Sequence, residues 1–387
     1  MSLNGQAYIV GAYEHPTRKA DDLSVARLHA DVAKGALEDA GLTKDDIDGY
    51  FCAGDAPGLG TTTVAEYLGL KLRHVDSTEC GGSAPILHVA HAAEAIAAGR
   101  CNVALITLAG RPRAAGAALS LRAPDPDAPD VQFELPFGPA TQNLYGMVAR
   151  RHMYQYGTTS EQLAWIKVAA SHHAQHNPNA MLRNVVTVED VVNSPLVADP
   201  LHRLDCCVMS DGGGALNVAR PEIARQLKRP LVKLRGAGEA PKHAAGGKVD
   251  LTWSAAKWSG AAAFAEAGVT PADIRYASLY DSFTITVLMQ LEDLGFCRKG
   301  EGGRFVQDGG LISGVGKLPF NTDGGGLCNN HPANRGGVTK VIEAVRQLRG
   351  EAHPAVQVQN CGLALASGIG GALASRHTAA TLILERV

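Results

Sequence analysis

Apolar residues in this chain of 387 residues fall into short continuous runs that alternate with longer segments of helical spacing. NVALITL (102–108) is typical of a buried strand, and it follows an Ala-rich helical segment at 84–98. AATLILERV (379–387) is a second run of this kind. Strands that alternate with helices predict parallel strands covered by helices on both faces, and hence an α/β fold.

A helix–turn–strand unit occurs twice along the chain. ALEDAGLTKDDI (36–47) and AFAEAGVTPADI (263–274) share Ala, Gly, Thr, Asp and Ile at equivalent positions. Each copy has the pattern of an amphipathic helix, a Gly that ends it, a Thr-led turn and then a strand. Chance similarity between two common motifs is one explanation, and the other, which we adopt, is a duplicated architecture.

Two different segments separate the repeated units. Residues 111–139 contain six prolines, which predicts a long loop over the surface or over a site. Residues 140–200 have helical periodicity, as in EQLAWIKVAASHHAQH, and we expect them to cover the first half of the molecule. We therefore predict a first half from residues 1–110 and 201–230, a loop and helical insertion at 111–200, and a second half at 231–387.

Composition excludes several classes of protein. The chain has 36 Lys+Arg and 38 Asp+Glu with no basic block, which argues against nucleic-acid binding. No apolar run reaches eighteen residues and no signal-peptide pattern occurs, which predicts a soluble, cytoplasmic protein with no membrane contact. The eight cysteines include no CxxC spacing, so they are expected to be reduced thiols, not disulfides or zinc ligands.

Cys80 opens the segment CGGS (80–83) at the predicted N-terminus of an apolar helix. A helix N-terminus presents unpaired N–H groups and positive charge, which lower a thiol pKa and stabilise an oxyanion. Cys80 is therefore a candidate nucleophile, with a buried structural Cys as the alternative. Ser83 is expected to cap the helix. No metal site is predicted, because the potential ligands on this helix drift around its surface: His88, His91 and Glu94.

Two further segments carry candidate catalytic residues. LYDSFT (279–284) ends a predicted strand and would deliver Tyr280 to the carboxyl edge of the sheet, where open α/β sheets bind ligands. NTDGGGLCNNHPANRGG (321–337) combines glycines that allow close backbone approach with His331, just before a predicted helix. His331 is either a structural histidine or an acid–base residue.

In this order, the segments resemble the thiolase superfamily, in particular its sterol-carrier-protein-type and short bacterial thiolase-like branch. The resemblance covers most of the chain and rests on ALEDAGLTKDDID, AAEAIAAGRCNVALI, DCCVMSDGGGAL, LEDLGFCRKGEGGRFV and PFNTDGGGLCNNHP. It implies a duplicated, five-layered α-β-α-β-α fold and a homodimer or homotetramer. It also implies acyl-CoA substrates, with coenzyme A as substrate or product and no permanently bound cofactor.

The resemblance assigns roles to two of the candidate residues. His331 matches the His of the family's GHP motif, here changed to NHP, which helps to activate the nucleophile and to hold the thioester oxygen. Tyr280 stands where most thiolases have the Asn of NEAF and where the sterol-carrier branch has the His of HDCF. A Tyr hydroxyl can still donate to an oxyanion or move a proton.

The family's nucleophile has no clear equivalent. A gapless count back from Gly99, which ends the helix, places the nucleophilic Cys at Gly82. Either a two-residue insertion makes Cys80 the nucleophile, or the nucleophile is absent. The family's second catalytic Cys or His falls near Ser367, and the nearest groups of those types are out of register: Cys361 and His377.

Three hypotheses for the function remain open. The first is a thiolase-type acyltransferase in which Cys80 attacks a β-ketoacyl-CoA, His331 activates it and Tyr280 lies near the oxyanion. The second is a retro-aldolase, a lyase that cleaves a β-hydroxyacyl-CoA through Tyr280 and His331 without a covalent intermediate. The resemblance links that chemistry to thiolase-like subunits that pair with a small OB-fold and zinc-ribbon protein. The third is a non-catalytic acyl-CoA-binding subunit.

Overall fold

The computed structural model describes residues 2–53, 56–115, 127, 132–138, 140–243, 248–373 and 376–387. Most of the predicted Pro-rich loop lies outside the described residues. The strands are β1 (Tyr8–Glu14), β2 (Gly49–Phe51), β3 (His74–Asp76), β4 (Val103–Gly110), β5 (Leu196–Ala198), β6 (Leu201–His202), β7 (Gly212–Ala219), β8 (Val232–Lys242), β9 (Tyr276–Leu279), β10 (Leu363–Gly370) and β11 (His377–Arg386). The α-helices are α1 (Val25–Ala40), α2 (Thr61–Leu68), α3 (Ala84–Ala97), α4 (Thr141–Tyr156), α5 (Ser160–Ala174), α6 (Val188–Val192), α7 (Pro221–Ala224), α8 (Ala256–Ala267), α9 (Thr284–Asp293), α10 (Gly302–Val306), α11 (Gly325–Cys328) and α12 (Gly337–Arg349).

A nine-stranded mixed sheet runs through the molecule in the order β3-β2-β4-β7-β1-β8-β11-β10-β9. β2 is parallel to β3 and β4, and β9 is parallel to β10, whereas the other neighbours are antiparallel. The prediction of parallel strands throughout is therefore wrong. Only residues 371–376 separate β10 from β11, too few for the crossover that a parallel pair needs.

The helices and the two parts of the sheet together form the five predicted layers. α1 covers the outer face of β1, β4 and β7, while α8 covers the outer face of β8 and β11. α3 and α12 lie between the two parts of the sheet, which are joined by two residue pairs of β1 and β8. One continuous core unites this middle layer with both parts of the sheet, through Ile106 and Leu216 on one side and Tyr276 and Leu382 on the other. The α/β class and the duplicated five-layered arrangement are confirmed.

The two copies of the repeat have the same local structure. α1 ends at Gly41 (φ 72°) and α8 at Gly268 (φ 64°), both in the left-handed conformation that glycine adopts without strain. Thr43 and Thr270 then each begin a 3₁₀ turn with a capping box that pairs the Thr with the Asp three residues later. β2 and β9 follow, so that each copy delivers the end of a strand to its part of the sheet.

The helices of segment 140–200 pack against the second half of the molecule, not against the first as expected. Val148 of α4 and Leu163 of α5 share a core with Leu288 and Leu291 of α9. α9 is buried on all of its faces, so it requires a further helical layer outside it. In the described part of the chain, no helix is long and apolar enough to cross a lipid bilayer.

Candidate active site

The carboxyl end of β9 and the loop before α12 meet at an open pocket with an empty volume of about 880 Å³. Tyr280 and His331, from these two segments, both line it, with their rings edge to face and their centroids 5.4 Å apart. The two halves of the fold and the helical segment all contribute to its wall, which includes Gly82, Tyr145, Cys207, Met209, Ser282 and Ile369.

Tyr280 is held by its backbone and by burial of its ring. Its N–H donates to Ser367 O (2.9 Å) and its carbonyl accepts from Gln290 Nε2 (2.6 Å). Among the described residues, the phenol hydroxyl makes only a long contact, 3.4 Å, to Ala333 O. Burial raises the pKa of Tyr280 well above its usual value of 10, so the phenol is protonated at neutral pH and can donate to a substrate.

His331 presents a neutral imidazole. Its backbone N–H donates to Ser210 Oγ (2.8 Å), which in turn donates to Asn330 Oδ1 (2.7 Å). Burial lowers the pKa of His331 to about 4. Nε2 is buried and has no hydrogen-bond partner among the residues that the structure describes. A neutral ring with a free nitrogen is able to donate to, or accept from, a ligand in the pocket.

A short helical turn behind the site, α11, is held by hydrogen bonds to two of its N–H groups and to one of its carbonyl oxygens. Asp281 accepts the N–H groups of Gly326 (2.8 Å) and Leu327 (3.1 Å) and forms a buried ion pair with Lys340 at 2.7 Å. Lys167 Nζ donates to Leu327 O (2.6 Å). These contacts fix the turn that leads to His331, so Asp281, next to Tyr280 in sequence, couples the two candidate residues.

Asn330, which stands in place of the Gly of GHP, and its neighbour Asn329 have a structural explanation. Glu14 Oε1, at the end of β1, accepts from Asn329 Nδ2 (3.2 Å), Asn330 Nδ2 (2.9 Å) and Arg18 Nη2 (2.7 Å). Burial alone raises the pKa of Glu14, but Arg18 and Arg346 hold it below its usual value. The ionised carboxylate therefore ties the loop that carries His331 to the first half of the fold.

Cys80 lies outside the pocket wall, and Gly82 lines it instead. A Cβ atom built on Gly82 would overlap Cζ and Cε2 of the Tyr280 ring and lie 2.5 Å from Ile369 O. The ring thus fills the space that a side chain at position 82 would occupy. The half-buried Cys80 thiol accepts from Ser83 Oγ (3.2 Å), and burial raises its pKa, opposite to the expected direction.

The structure also locates four other residues that the sequence singled out. Ser83 occupies the N-cap position of α3 as expected, but its hydroxyl makes no capping hydrogen bond and pairs with Thr378 Oγ1 (2.7 Å) instead. Ser367 is buried within β10, and His377 Nδ1 donates to Gly370 O (2.8 Å). These two residues and the buried Cys361 are not among the residues that line the pocket.

Sequence reasoning missed Tyr145, which reaches the pocket from α4. Its ring stacks on Phe283 with centroids 4.4 Å apart, and its hydroxyl donates to Gly371 O (3.2 Å). Burial raises the pKa of Tyr145 to about 12. Cys207 and Ser282 also line the wall, the latter within the LYDSFT segment. No spacing marks Tyr145, because its approach depends on how the insertion folds.

The described residues contain no group of three or more His, Cys, Asp or Glu side chains arranged to hold a metal ion. On α3, His91 Nδ1 pairs with Asp76 (2.9 Å) and Nε2 with Glu239 (3.2 Å), so its polar atoms are used in ion pairs. The pocket wall carries two phenols and a neutral imidazole, those of Tyr145, Tyr280 and His331. Such a set can donate hydrogen bonds to oxygens and transfer protons.

Buried histidines make the stability of the fold sensitive to acid. Five of them have a pKa lowered to about 4 by burial, against 6.5 in the unfolded chain: His29, His88, His173, His331 and His377. Between pH 6.5 and 4 the unfolded chain binds more protons, so the free energy of unfolding falls as pH decreases, by about 1.4 kcal/mol per pH unit for each titrating group. Urea unfolding at pH 7, 6 and 5 measures this slope. A flat profile would contradict the expectation.

Several known proteins are similar to this chain. Residues 238–386 match a family model described as thiolase C-terminal domain-like. An acetyl-CoA acetyltransferase of Methanothermobacter thermautotrophicus is 33% identical over 98% of this chain and 99% of its own length. A 17-hydroxy-3-oxo-4-pregnene-20-carboxyl-CoA lyase of Mycobacterium tuberculosis is 35% identical over 95% of this chain and 98% of its own length. Both matches span nearly the whole of each chain.

A solved structure described as an Ltp2-ChsH2(DUF35) aldolase superposes with a TM-score of 0.90 at 33% identity. It covers 100% of this chain and 99% of the matched chain. The similarity therefore includes the helical segment 140–200 as well as the two halves of the fold.

Proposed function

This chain belongs to the thiolase superfamily, in its sterol-carrier-protein-type branch, and we propose that it cleaves β-hydroxyacyl-CoA thioesters by a retro-aldol reaction. Its relatives include acyltransferases and carbon–carbon lyases, so it is an enzyme of thiolase-type or retro-aldol chemistry. One observation supports the choice between the two: Gly82, the position that the gapless count gives for the nucleophile, has no side chain, and the Tyr280 ring fills the space beside it. A covalent intermediate at that position has no side chain to form on.

The proposed reaction breaks the bond between the α- and β-carbons of the thioester. The electron pair of that bond enters the enolate of the acyl-CoA, and the β-carbon becomes a carbonyl as its hydroxyl loses a proton. The α-carbon then gains a proton. We assign both transfers to Tyr280, whose oxygen takes the hydroxyl proton while its own proton passes to the α-carbon. This shuttle suits a phenol whose raised pKa disfavours a free phenolate. Protons balance, and no co-reactant is consumed.

His331 is proposed to stabilise the enolate. Because its pKa is lowered to about 4, the ring is neutral at working pH and can donate from Nε2–H to the thioester oxygen without losing a proton. The contacts of Asp281 and Glu14 hold the loop in place, so that the donor is oriented before charge develops on the oxygen. Coenzyme A enters as part of the substrate and leaves as part of the shortened acyl-CoA, with no permanently bound cofactor.

Acyl transfer through Cys80 is the second candidate, and the acetyl-CoA acetyltransferase relative is what favours it. It requires the Cys80 thiol to become a thiolate and to reach the pocket. Burial raises the pKa of this thiol, and Cys80 is not among the residues that line the pocket, so both observations count against this candidate.

Replacement of Cys80 by Ala is expected to leave turnover within about 2-fold, because the thiol makes no proposed contact with substrate and the loss of a half-buried sulfur perturbs the fold little. The assay follows the loss of 3-hydroxyacyl-CoA thioesters and the appearance of shortened acyl-CoA and carbonyl product by mass spectrometry. An acyl adduct mapped to Cys80 in the unmodified protein, or loss of turnover in the variant, would favour acyl transfer.

We further propose that the chain acts together with a small protein built from an OB-fold and a zinc ribbon, and as a homodimer or homotetramer. Support comes from the solved relative, whose name joins two components, Ltp2 and ChsH2(DUF35), in one aldolase. The same assay, run on the chain alone and with any co-purifying subunit, tests this proposal. Equal rates with and without the subunit would remove the need for a partner.

A further inference from the structure

We propose that the phenol hydroxyl of Tyr145 donates a hydrogen bond to the β-oxygen of the bound thioester. This inference rests on the proposed retro-aldol function and assigns a third polar contact to the same site. It also gives the helical segment 140–200 a part in substrate recognition, since Tyr145 is the buried residue that α4 contributes to the pocket wall.

The chemistry requires two polar contacts with the substrate and leaves room for a third. One group moves the proton between the β-hydroxyl and the α-carbon, and one donor stabilises the enolate at the thioester oxygen. These are the roles given to Tyr280 and His331. The β-oxygen changes from hydroxyl to carbonyl while its proton leaves, so a separate donor would hold that oxygen in position throughout.

Tyr145 has the position and the protonation state for this contact. Its ring is fixed by stacking on Phe283, which is only three residues from Tyr280, and the pKa of about 12 keeps the hydroxyl protonated. Gly371, whose carbonyl is the present acceptor, also lines the pocket, so the hydroxyl lies between two residues of the wall. At 3.2 Å this bond is longer than the 2.7–2.8 Å that O–H···O bonds favour, so a substrate oxygen can replace it at little cost.

Other protic groups on the wall fit this role less well. Ser282 Oγ pairs with Thr286 Oγ1 at 3.1 Å and also with the Tyr145 hydroxyl, so its single proton already has two competing acceptors. Thr141 is solvent-exposed at the first residue of α4. Cys207 is a weak donor by its chemistry. Tyr145 is thus the lining residue that combines a rigid ring, burial and a strong donor.

The test compares two ligands that differ only in the β-oxygen, 3-hydroxyoctanoyl-CoA and octanoyl-CoA, by titration calorimetry. Binding is measured in Tyr280→Phe, where turnover is expected to be blocked, and in Tyr280→Phe with Tyr145→Phe. Loss of one hydrogen bond should weaken binding of the hydroxylated ligand about 3- to 10-fold and leave octanoyl-CoA unchanged. In the otherwise unmodified protein, Tyr145→Phe should lower kcat at least 10-fold, as loss of a positioned donor does.

Tyr154→Phe is the matched control, because Tyr154 lies on the same helix but is 83% exposed, and it should change neither binding nor kcat. Equal weakening of both ligands, or unchanged binding of both, would overturn the role of Tyr145. Failure of the proposed function is distinct, since the unmodified protein would then form no carbonyl product from a β-hydroxyacyl-CoA.

Discussion

Replacement of Tyr280 by Phe is expected to reduce the rate of carbon–carbon cleavage by roughly 10²- to 10⁴-fold while the fold remains intact. The change removes the only atom that the proposed shuttle uses, the phenol oxygen, and keeps the ring that fills the space beside Gly82. The hydroxyl contributes little to stability, because its contact to Ala333 O is 3.4 Å long. Product analysis of the variant, with a thermal melt to verify folding, measures both effects.

Tyr276 supplies the matched control for this change. It lies on β9, four residues before Tyr280, and is equally buried, but its hydroxyl accepts from the Thr322 N–H and it does not line the pocket. Tyr276→Phe should lower stability slightly and leave turnover near that of the unmodified protein. A Tyr280→Phe variant with turnover within about 10-fold of normal would exclude the shuttle, because loss of a proton-transfer group costs more than that.

The repeat and its capping boxes were predictable from the sequence because they depend on local chemistry. Gly41 and Gly268 end helices through backbone angles that favour glycine, and the Thr–Asp pairs satisfy N–H groups within four residues. Strand direction was less predictable. Alternation of strands and helices predicts that strands joined by crossovers are parallel. It does not predict the antiparallel pairs that β7 and β11 form with their neighbours.

The site was predictable only where a motif marks it. Tyr280 and His331 stand in recognisable segments, and the structure places both on one pocket. The thiol of Cys80 illustrates the limit. A helix N-terminus lowers a thiol pKa, whereas burial raises it, and the extent of burial is known only from the folded chain. Tyr145 could not be found because its contact with Phe283 joins residues far apart in sequence.

Replacement of Asp281 by Ala is expected to destabilise the protein by about 3–5 kcal/mol, the cost of leaving a buried partner charge unpaired. Lys340 would lose its carboxylate at 2.7 Å, although its side chain is only 2% exposed. The N–H groups of Gly326 and Leu327 would lose their acceptor as well, which releases the turn before His331. Turnover should therefore fall together with stability, and urea unfolding with the product assay measures the two.

A double variant separates the effect of the unpaired charge from the effect of losing the carboxylate that positions α11, and a surface variant serves as the control. Adding Lys340→Met to Asp281→Ala removes the unpaired charge, so it should restore a large part of the stability. It should not restore turnover, because the N–H groups that position α11 still lack the carboxylate. Glu222→Ala, which breaks the exposed pair with Arg220, should leave the free energy of unfolding nearly unchanged. Equal losses of stability for Asp281→Ala and Glu222→Ala would show that the buried pair does not support the fold. Full turnover in the double variant would show that His331 is positioned without it.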